Sequence, residues 1–138
     1  MSKDLRNQEI PDCLMVAVCE AVVIDQMTNN KSLINMFNRV HAVGFPVLHP
    51  RLCVVVSLTN GRGTLPLVMR MKHLSSDEVI HSMSGRVVFG DPMAVHDLVF
   101  DFRGVLFSKA GDYVVELVSG ERIVGQRRFA VELGRPQA

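Results

Sequence analysis

The stretch that decides the fold class is LVFDFRGVLFSKAGDYVVEL, residues 98–117. In its first half, every second side chain would lie on the same face of a strand, and Phe100 and Phe102 share one such face. The same two-residue alternation begins again at Tyr113. A glycine-aspartate turn beginning at Gly111 separates the two runs. Two period-2 runs joined by such a turn predict paired antiparallel strands with one face in a core, to which both phenylalanines contribute.

The length and composition of the whole chain indicate how many domains it forms and which kinds of partner it can bind. The 138 residues suit one domain with a real core. Fifteen Lys and Arg against 14 Asp and Glu give a net charge of +1, which argues against a nucleic-acid partner. Hydrophobic residues make up 48%, and together with the 10 glycines they reach about 55%, above the usual ~45–50% for both together. We therefore expect strands buried on both faces or apolar surface left for a partner.

Three cysteines, Cys13, Cys19 and Cys53, are too few and too irregular to indicate a disulfide framework. The polar first residues do not resemble a secretory leader. The apolar run at 14–24 is interrupted by Glu20 and is about half the ~20 residues that a membrane helix needs. These features predict a cytoplasmic protein with reduced, inert thiols and no membrane partner.

Period-2 patterns and turn residues predict eight strands at spacings of about ten residues. The predicted strands cover residues 14–25, 32–43, 52–58, 65–72, 79–89, 98–102, 113–118 and 122–133. We predict an all-β, two-sheet antiparallel β-sandwich of residues 13–133, and an eight-stranded barrel is the alternative. Residues 1–12 are predicted to be a flexible arm and residues 134–138 a tail.

Two of these strands carry unusual patterns. Residues 14–25 are apolar at both parities, which predicts a strand covered on both faces, with a helix as the competing interpretation. The alternation of 32–43 slips around Met36, Phe37 and Asn38, which predicts a bulge within one strand.

The sequence also resembles an uncharacterised family of small bacterial proteins, a domain of unknown function. The resemblance covers residues 13 to 132 and lies in the order and spacing of short motifs. The matching positions are Asp25, Asn30 and Lys31, Phe37, Phe45 and Pro46, and Gly111 and Tyr113. Asn30 departs from the glycine common in the family, and asparagine can supply the same left-handed turn. The resemblance implies a bacterial source and the β fold, and it implies no activity, ligand or catalytic residue.

Three residues are candidates for ligand binding: Glu20, Asp25 and His49. Glu20 shares the parity of apolar neighbours, so it is a functional acid with a perturbed pKa, one half of an ion pair with Arg39 or Arg127, or a residue at the rim of the sheet. Asp25, at a strand end, is expected to cap a turn, and His49 lies in a loop rich in proline.

No catalytic or metal motif is visible. The five histidines show no HxH, HxxH or HExxH spacing, and none neighbours a cysteine in a zinc pattern. Cys13 and Cys19 would share a face of a regular strand, at about 20 Å, too far apart to bridge. We expect no metal, no cofactor and no enzymatic activity.

Two further positions are predicted to be structural. Tyr113, the sole tyrosine, opens a strand after Gly111, as in the tyrosine corner of sandwich folds, where the hydroxyl bonds upstream backbone. Pro46 breaks the ladder before the third predicted strand, together with the His49-Pro50 pair.

These observations favour a non-enzymatic protein-interaction or structural module whose partner is another protein or a second copy of itself. The alternative is a sandwich that binds a small molecule or carbohydrate in a mouth formed by the 44–50 and 90–93 loops. The low aromatic content, 6%, argues against sugars.

Overall fold

A computed structural model describes residues 10–134, and they form nine strands in two sheets. The strands are β1 (Asp12–Ile24), β2 (Lys31–Met36), β3 (Arg39–Ala42), β4 (Val47–Thr59), β5 (Gly63–His73), β6 (Glu78–Phe89), β7 (His96–Phe107), β8 (Gly111–Ser119) and β9 (Arg122–Leu133). The predicted all-β class and sandwich architecture are confirmed, with nine strands rather than eight. The described residues contain no helix that is long and apolar enough to cross a membrane.

The four-stranded sheet has the order β2-β1-β4-β7, and the five-stranded sheet has the order β3-β9-β8-β5-β6. All neighbouring strands are antiparallel except β3 and β9, which run parallel. The core between the sheets includes Phe102, Phe107, Leu117 and Val131, each no more than 1% exposed. Because successive side chains of a strand point to opposite faces of its sheet, one face of each sheet packs into this core.

The sandwich is closed on the side where β1 meets β9. A Cβ atom on Gly125 would lie 2.5 Å from the Cys13 Sγ atom, so glycine permits this close approach of the two strands. Arg127 also links β9 to β1 by a hydrogen bond, which its Nη1 donates to the Val16 carbonyl at 3.2 Å. On the opposite side, β6 and β7 end their sheets without pairing to each other, so the barrel alternative is wrong.

The predicted second strand, 32–43, is in fact two strands in different sheets. The Phe37 amide still donates to the Val18 carbonyl of the first sheet at 3.1 Å. The next carbonyl, that of Asn38, accepts from the Ala130 amide of the second sheet at 2.9 Å. The slip in alternation therefore marks a crossover between sheets, and the predicted bulge is wrong.

A second correction concerns β1, which changes partner at Cys19. It pairs with β4 up to Cys19 and with β2 from there on. The resulting hairpin arm, residues 20–36, lies against the outer face of the four-stranded sheet, where Val22 and Leu33 pack on buried Cys53. The prediction of a strand covered on both faces is confirmed where Ala17, Val18 and Cys19 are all fully buried. Cys13 and Cys19 do not share a face, since a register shift follows Cys13.

The alternation of buried and exposed side chains along β7 shifts by one residue at Gly104. Phe102 and Phe107 are five residues apart, yet both point into the core. Gly104 has a φ of 67°, a left-handed conformation that glycine adopts without strain. Pro50 lies at the matching point of β4, between the register pairs His49–Val105 and Arg51–Arg103. The His49-Pro50 pair therefore lies inside β4, and the predicted break there is wrong.

The ends of the domain differ slightly from the predicted boundaries. Pro11 is buried, Ile10 packs against the core, and β1 already begins at Asp12. At the other end the Gly134 amide donates to the Ala42 carbonyl at 3.0 Å. The rest of the predicted arm and tail, residues 1–9 and 135–138, lies outside the described residues.

Candidate functional site

Glu20 is exposed on the hairpin arm rather than buried with its apolar neighbours. Its carboxylate accepts one hydrogen bond, from the Asn35 side chain at 3.4 Å. The proposed ion pairs are not formed, because Arg39 bridges to Glu132 at 3.1 Å and Arg127 donates to Asn38 at 2.8 Å. The exposed position agrees with the rim alternative, since the pairing of β1 with β4 ends at Cys19, one residue before Glu20.

Asp25 caps the turn between β1 and β2, as its position predicts. Its Oδ1 accepts from the backbone amides of Met27 at 2.8 Å and Thr28 at 3.0 Å. These amides stabilise the charged form and lower the pKa of Asp25. The carboxylate is therefore engaged by its own turn.

His49 packs between rings inside the sandwich. Its ring centroid lies 5.7 Å from that of Phe37 and 6.4 Å from that of Phe107. Burial lowers the pKa of His49, and the charge of nearby Glu20 partly opposes that effect. The Nε2 atom is buried and lacks a hydrogen-bond partner among the described residues. These properties make His49 a packing residue.

The three candidates do not converge into one site. The two loops expected to form a mouth lie at opposite ends of β4: Val47 pairs with Phe107 near one end, whereas Pro92 accepts from the Asn60 amide beyond the other. The predicted mouth of 44–50 and 90–93 is therefore wrong. In the part of the chain that the structure describes, no three His, Cys, Asp or Glu residues are grouped so that they could hold a metal ion.

Tyr113, one of the residues predicted to be structural, lies in the core at the centre of a network of rings. Tyr113 donates from its hydroxyl to the Lys109 carbonyl at 2.6 Å, the bond expected of a tyrosine corner. Its ring packs on those of Phe107 and His73, with centroids 5.0 and 4.9 Å away. Elsewhere in the fold, Pro46 follows a cis peptide bond, and Phe100 and Phe102 are buried as predicted.

The feature that sequence reasoning did not single out is the free edge of β7. The edge strands of the two sheets are β2, β7, β3 and β6. They differ in the features that hinder an edge from pairing with a strand of another molecule. β2 and β3 are short, with six and four residues, and the pairing of β6 with β5 contains a register shift. β7 has 12 residues and keeps one register with β4 throughout. It is the long, regular edge among the described strands.

The outer face of β7 carries three charged residues, Asp97, Asp101 and Arg103. Asp101 accepts from the Nε and Nη2 atoms of Arg51, each at 3.1 Å, and from Arg103 Nη2 at 3.1 Å. Hydrogen bonding with Arg51 is the main cause that lowers the pKa of Asp101. Asp97, on the same face, accepts from the Ser57 hydroxyl. The order along the edge is acid, acid, base.

A shallow groove of about 230 Å³ runs beside this edge on the open side of the sandwich. Residues 97–100 form one wall, and Leu67, Gly85 and Arg86 form the other. A Cβ atom on Gly85 would meet nothing within 4 Å, so this wall is open. The groove therefore lies beside the first half of β7, while ring contacts of His81 with Phe102 and of Phe89 with His96 join β6 and β7 within the core.

Comparison with known proteins places this fold in a family. A family model described as a family of unknown function (DUF6941) matches residues 14–132. The chain belongs to this family. Membership in DUF6941 confirms the resemblance to an uncharacterised domain, and the match spans nearly all of the described strands. No curated protein matches the sequence.

Among solved structures, the DUF6941 chain is similar to part of a selenomethionine-labelled beta-glucosidase from Kluyveromyces marxianus. The two share 16% identity with a TM-score of 0.44. The similarity covers 67% of this chain and only 14% of the other.

Proposed function

We propose that this domain is a non-enzymatic protein-interaction module that associates with a second copy of itself. The observation that carries the proposal is the long free edge of β7, which pairs on that side with no other strand among the described residues. Backbone amides and carbonyls on such an edge can form a new ladder with another strand. A twofold dimer is the commonest outcome when identical chains associate.

Apolar surface that the fold leaves uncovered supports the same proposal. Large apolar side chains are exposed on the hairpin arm, with Met27 93% and Met36 55% exposed. Leu48 and Leu106 pair across β4 and β7 and are 62% and 53% exposed. Exposed apolar patches mark interaction surfaces when they are contiguous, and methionine-rich ones adapt to varied partners.

A cytoplasmic setting is part of the proposal, because an odd number of unpaired cysteines suits a reducing compartment. The non-enzymatic role is supported by the positions of the three candidate groups, which do not converge. Asp25 caps a turn, His49 packs between rings and Glu20 faces solvent.

Light scattering during size-exclusion chromatography tests the proposal on the complete 138-residue chain. We expect a mass near twice 15.3 kDa at high micromolar concentration, falling toward 15.3 kDa on dilution. A mass of 15.3 kDa at every concentration would overturn self-association.

A further inference from the structure

We propose that two copies join edge to edge along β7, antiparallel, with Phe100 of each copy at the twofold axis. Asp97 of one copy then lies opposite Arg103 of the other, and the symmetry repeats this pair. The inference rests on the proposed self-association and adds its surface and register. The two four-stranded sheets would become one continuous eight-stranded sheet.

The direction in which each side chain of β7 points limits the registers in which two copies of β7 can pair. Between 97 and 103, odd-numbered side chains lie on the outer face and even-numbered ones turn toward the core, as buried Phe100 and Phe102 show. Residues directly opposite each other in an antiparallel pair share a face. A one-residue slip would place Phe100 opposite an outward-facing residue and is excluded.

Charge then selects among the remaining registers. Centring the pair on Phe100 sets Asp97 opposite Arg103 at both ends of the seven-residue segment. Centring it on Val99 sets Asp97 opposite Asp101, and centring it on Asp101 sets that residue opposite itself. Opposite charges across a ladder stabilise pairing by about 0.2–1 kcal/mol, and like charges oppose it.

One further register, centred on Phe102, would also pair opposite charges, Asp101 with Arg103. It would set Val99 opposite Val105, and Val105 is fully buried because Gly104 resets the alternation. An outward side chain would then face an inward one. The Phe100 register is therefore the one that satisfies both facing and charge.

The two residues of the proposed pair are exposed, and each also has a partner within its own chain: Asp97 accepts from the Ser57 hydroxyl, and Arg103 donates to Asp101 at 3.1 Å. Asp97 is exposed, and the side chain of Arg103 is 69% exposed. Asp101 lies near the axis, where its charge would repel its counterpart, but the two hydrogen bonds from Arg51 neutralise it. The edge therefore offers one acid and one base that are six residues apart, and a second copy supplies the same two in reverse order.

Charge reversal tests this register. Asp97→Arg alone and Arg103→Asp alone each set like charges opposite one another twice, so each should raise the dimer Kd at least about tenfold. A mixture of the two variants restores both attractive pairs, and so does the double variant. We expect each single variant to run as a monomer and the mixture and double variant to regain the dimer mass in light scattering.

Matched controls separate this effect from damage to the fold. Ser57→Ala removes the hydrogen bond to Asp97 without changing charge and should leave the dimer intact. Single variants that still dimerise like the wild type, or a mixture that stays monomeric, would overturn the β7 register. The first of these outcomes would leave self-association standing, whereas a monomeric wild type would remove both proposals.

Discussion

His73 and Gly111 are in such close contact that a Cβ atom on Gly111 would lie 2.6 Å from the His73 Nε2 atom. The ring is fixed in this position, because Nε2 donates to the Ala110 carbonyl at 3.1 Å and Nδ1 accepts from the Ser76 amide at 3.3 Å. Gly111 also has a φ of 139°, which side chains rarely tolerate. The tyrosine corner formed by Tyr113 therefore depends on glycine at this turn.

Gly111→Ala should lower the free energy of unfolding by about 2–3 kcal/mol, because it combines backbone strain with a clash against a fixed ring. Urea unfolding followed by circular dichroism measures this loss. Gly90→Ala is the control, since a Cβ there would meet nothing within 4 Å, and it should be near neutral. Equal stability of the two variants would show that the contact with His73 is unimportant.

Glu116→Gln should destabilise the outer face of the five-stranded sheet by about 1–3 kcal/mol. Glu116 is 4% exposed and lies 2.9 Å from Arg70 and 3.4 Å from Lys72, so the change removes the buried counter-charge of Arg70 and leaves Lys72 paired with exposed Asp77 at 2.8 Å. Glu132→Gln breaks an exposed pair with Arg39 and should cost less than about 1 kcal/mol. Equal losses in urea unfolding would contradict this difference.

The stability of the domain should fall below about pH 6.5, partly through His49. Burial lowers the pKa of His49 from its ordinary value of 6.5. Between that value and the folded pKa, the unfolded chain binds the proton that the folded chain excludes, so stability is full above 6.5 and declines as the pH drops. His49→Phe keeps a ring beside Phe37 and removes the titration. The urea midpoint of this variant should depend less on pH, and an unchanged pH dependence would exclude this role of His49.

Cys53 should resist alkylation in the native protein. Burial and the nearby Asp101 carboxylate raise its pKa to about 11, so little thiolate is present near neutral pH. Mass spectrometry after iodoacetamide treatment should find Cys53 unmodified until urea unfolds the chain, while half-buried Cys13 provides the comparison. Rapid native labelling of Cys53 would mean that the hairpin arm opens readily from the sheet.

The sequence predicts the features that depend on local alternation and turns. Phe100 and Phe102 enter the core because period-2 spacing puts both on one face, and the Gly111 turn leads into the Tyr113 corner. Asp25 caps its turn for a similarly local reason, since its carboxylate reaches the amides two and three residues on. Each of these interactions is set within a few residues.

The other features of the fold depend on changes of strand partner, sheet and side-chain direction, which the alternation of residue types does not reveal. The alternation left the position of Glu20 open, and its exposure follows from the end of the β1–β4 pairing one residue earlier. The predicted 32–43 strand is divided because the chain changes sheets at Asn38. Gly104 reverses the facing of β7, which a constant period cannot show. The free edge of β7 follows from the strand order, and strand order is a long-range property.

Hydrogen–deuterium exchange of residues 97–103 as a function of protein concentration tests the β7 dimer most directly. The amides that β4 leaves unpaired should become protected as the concentration rises from low to high micromolar, while the amides of the other long edge, β6, should exchange at a constant rate. Protection on β7 that rises together with the mass from light scattering is the predicted result. A dimer that forms while β7 exchanges at the same rate at every concentration would contradict it.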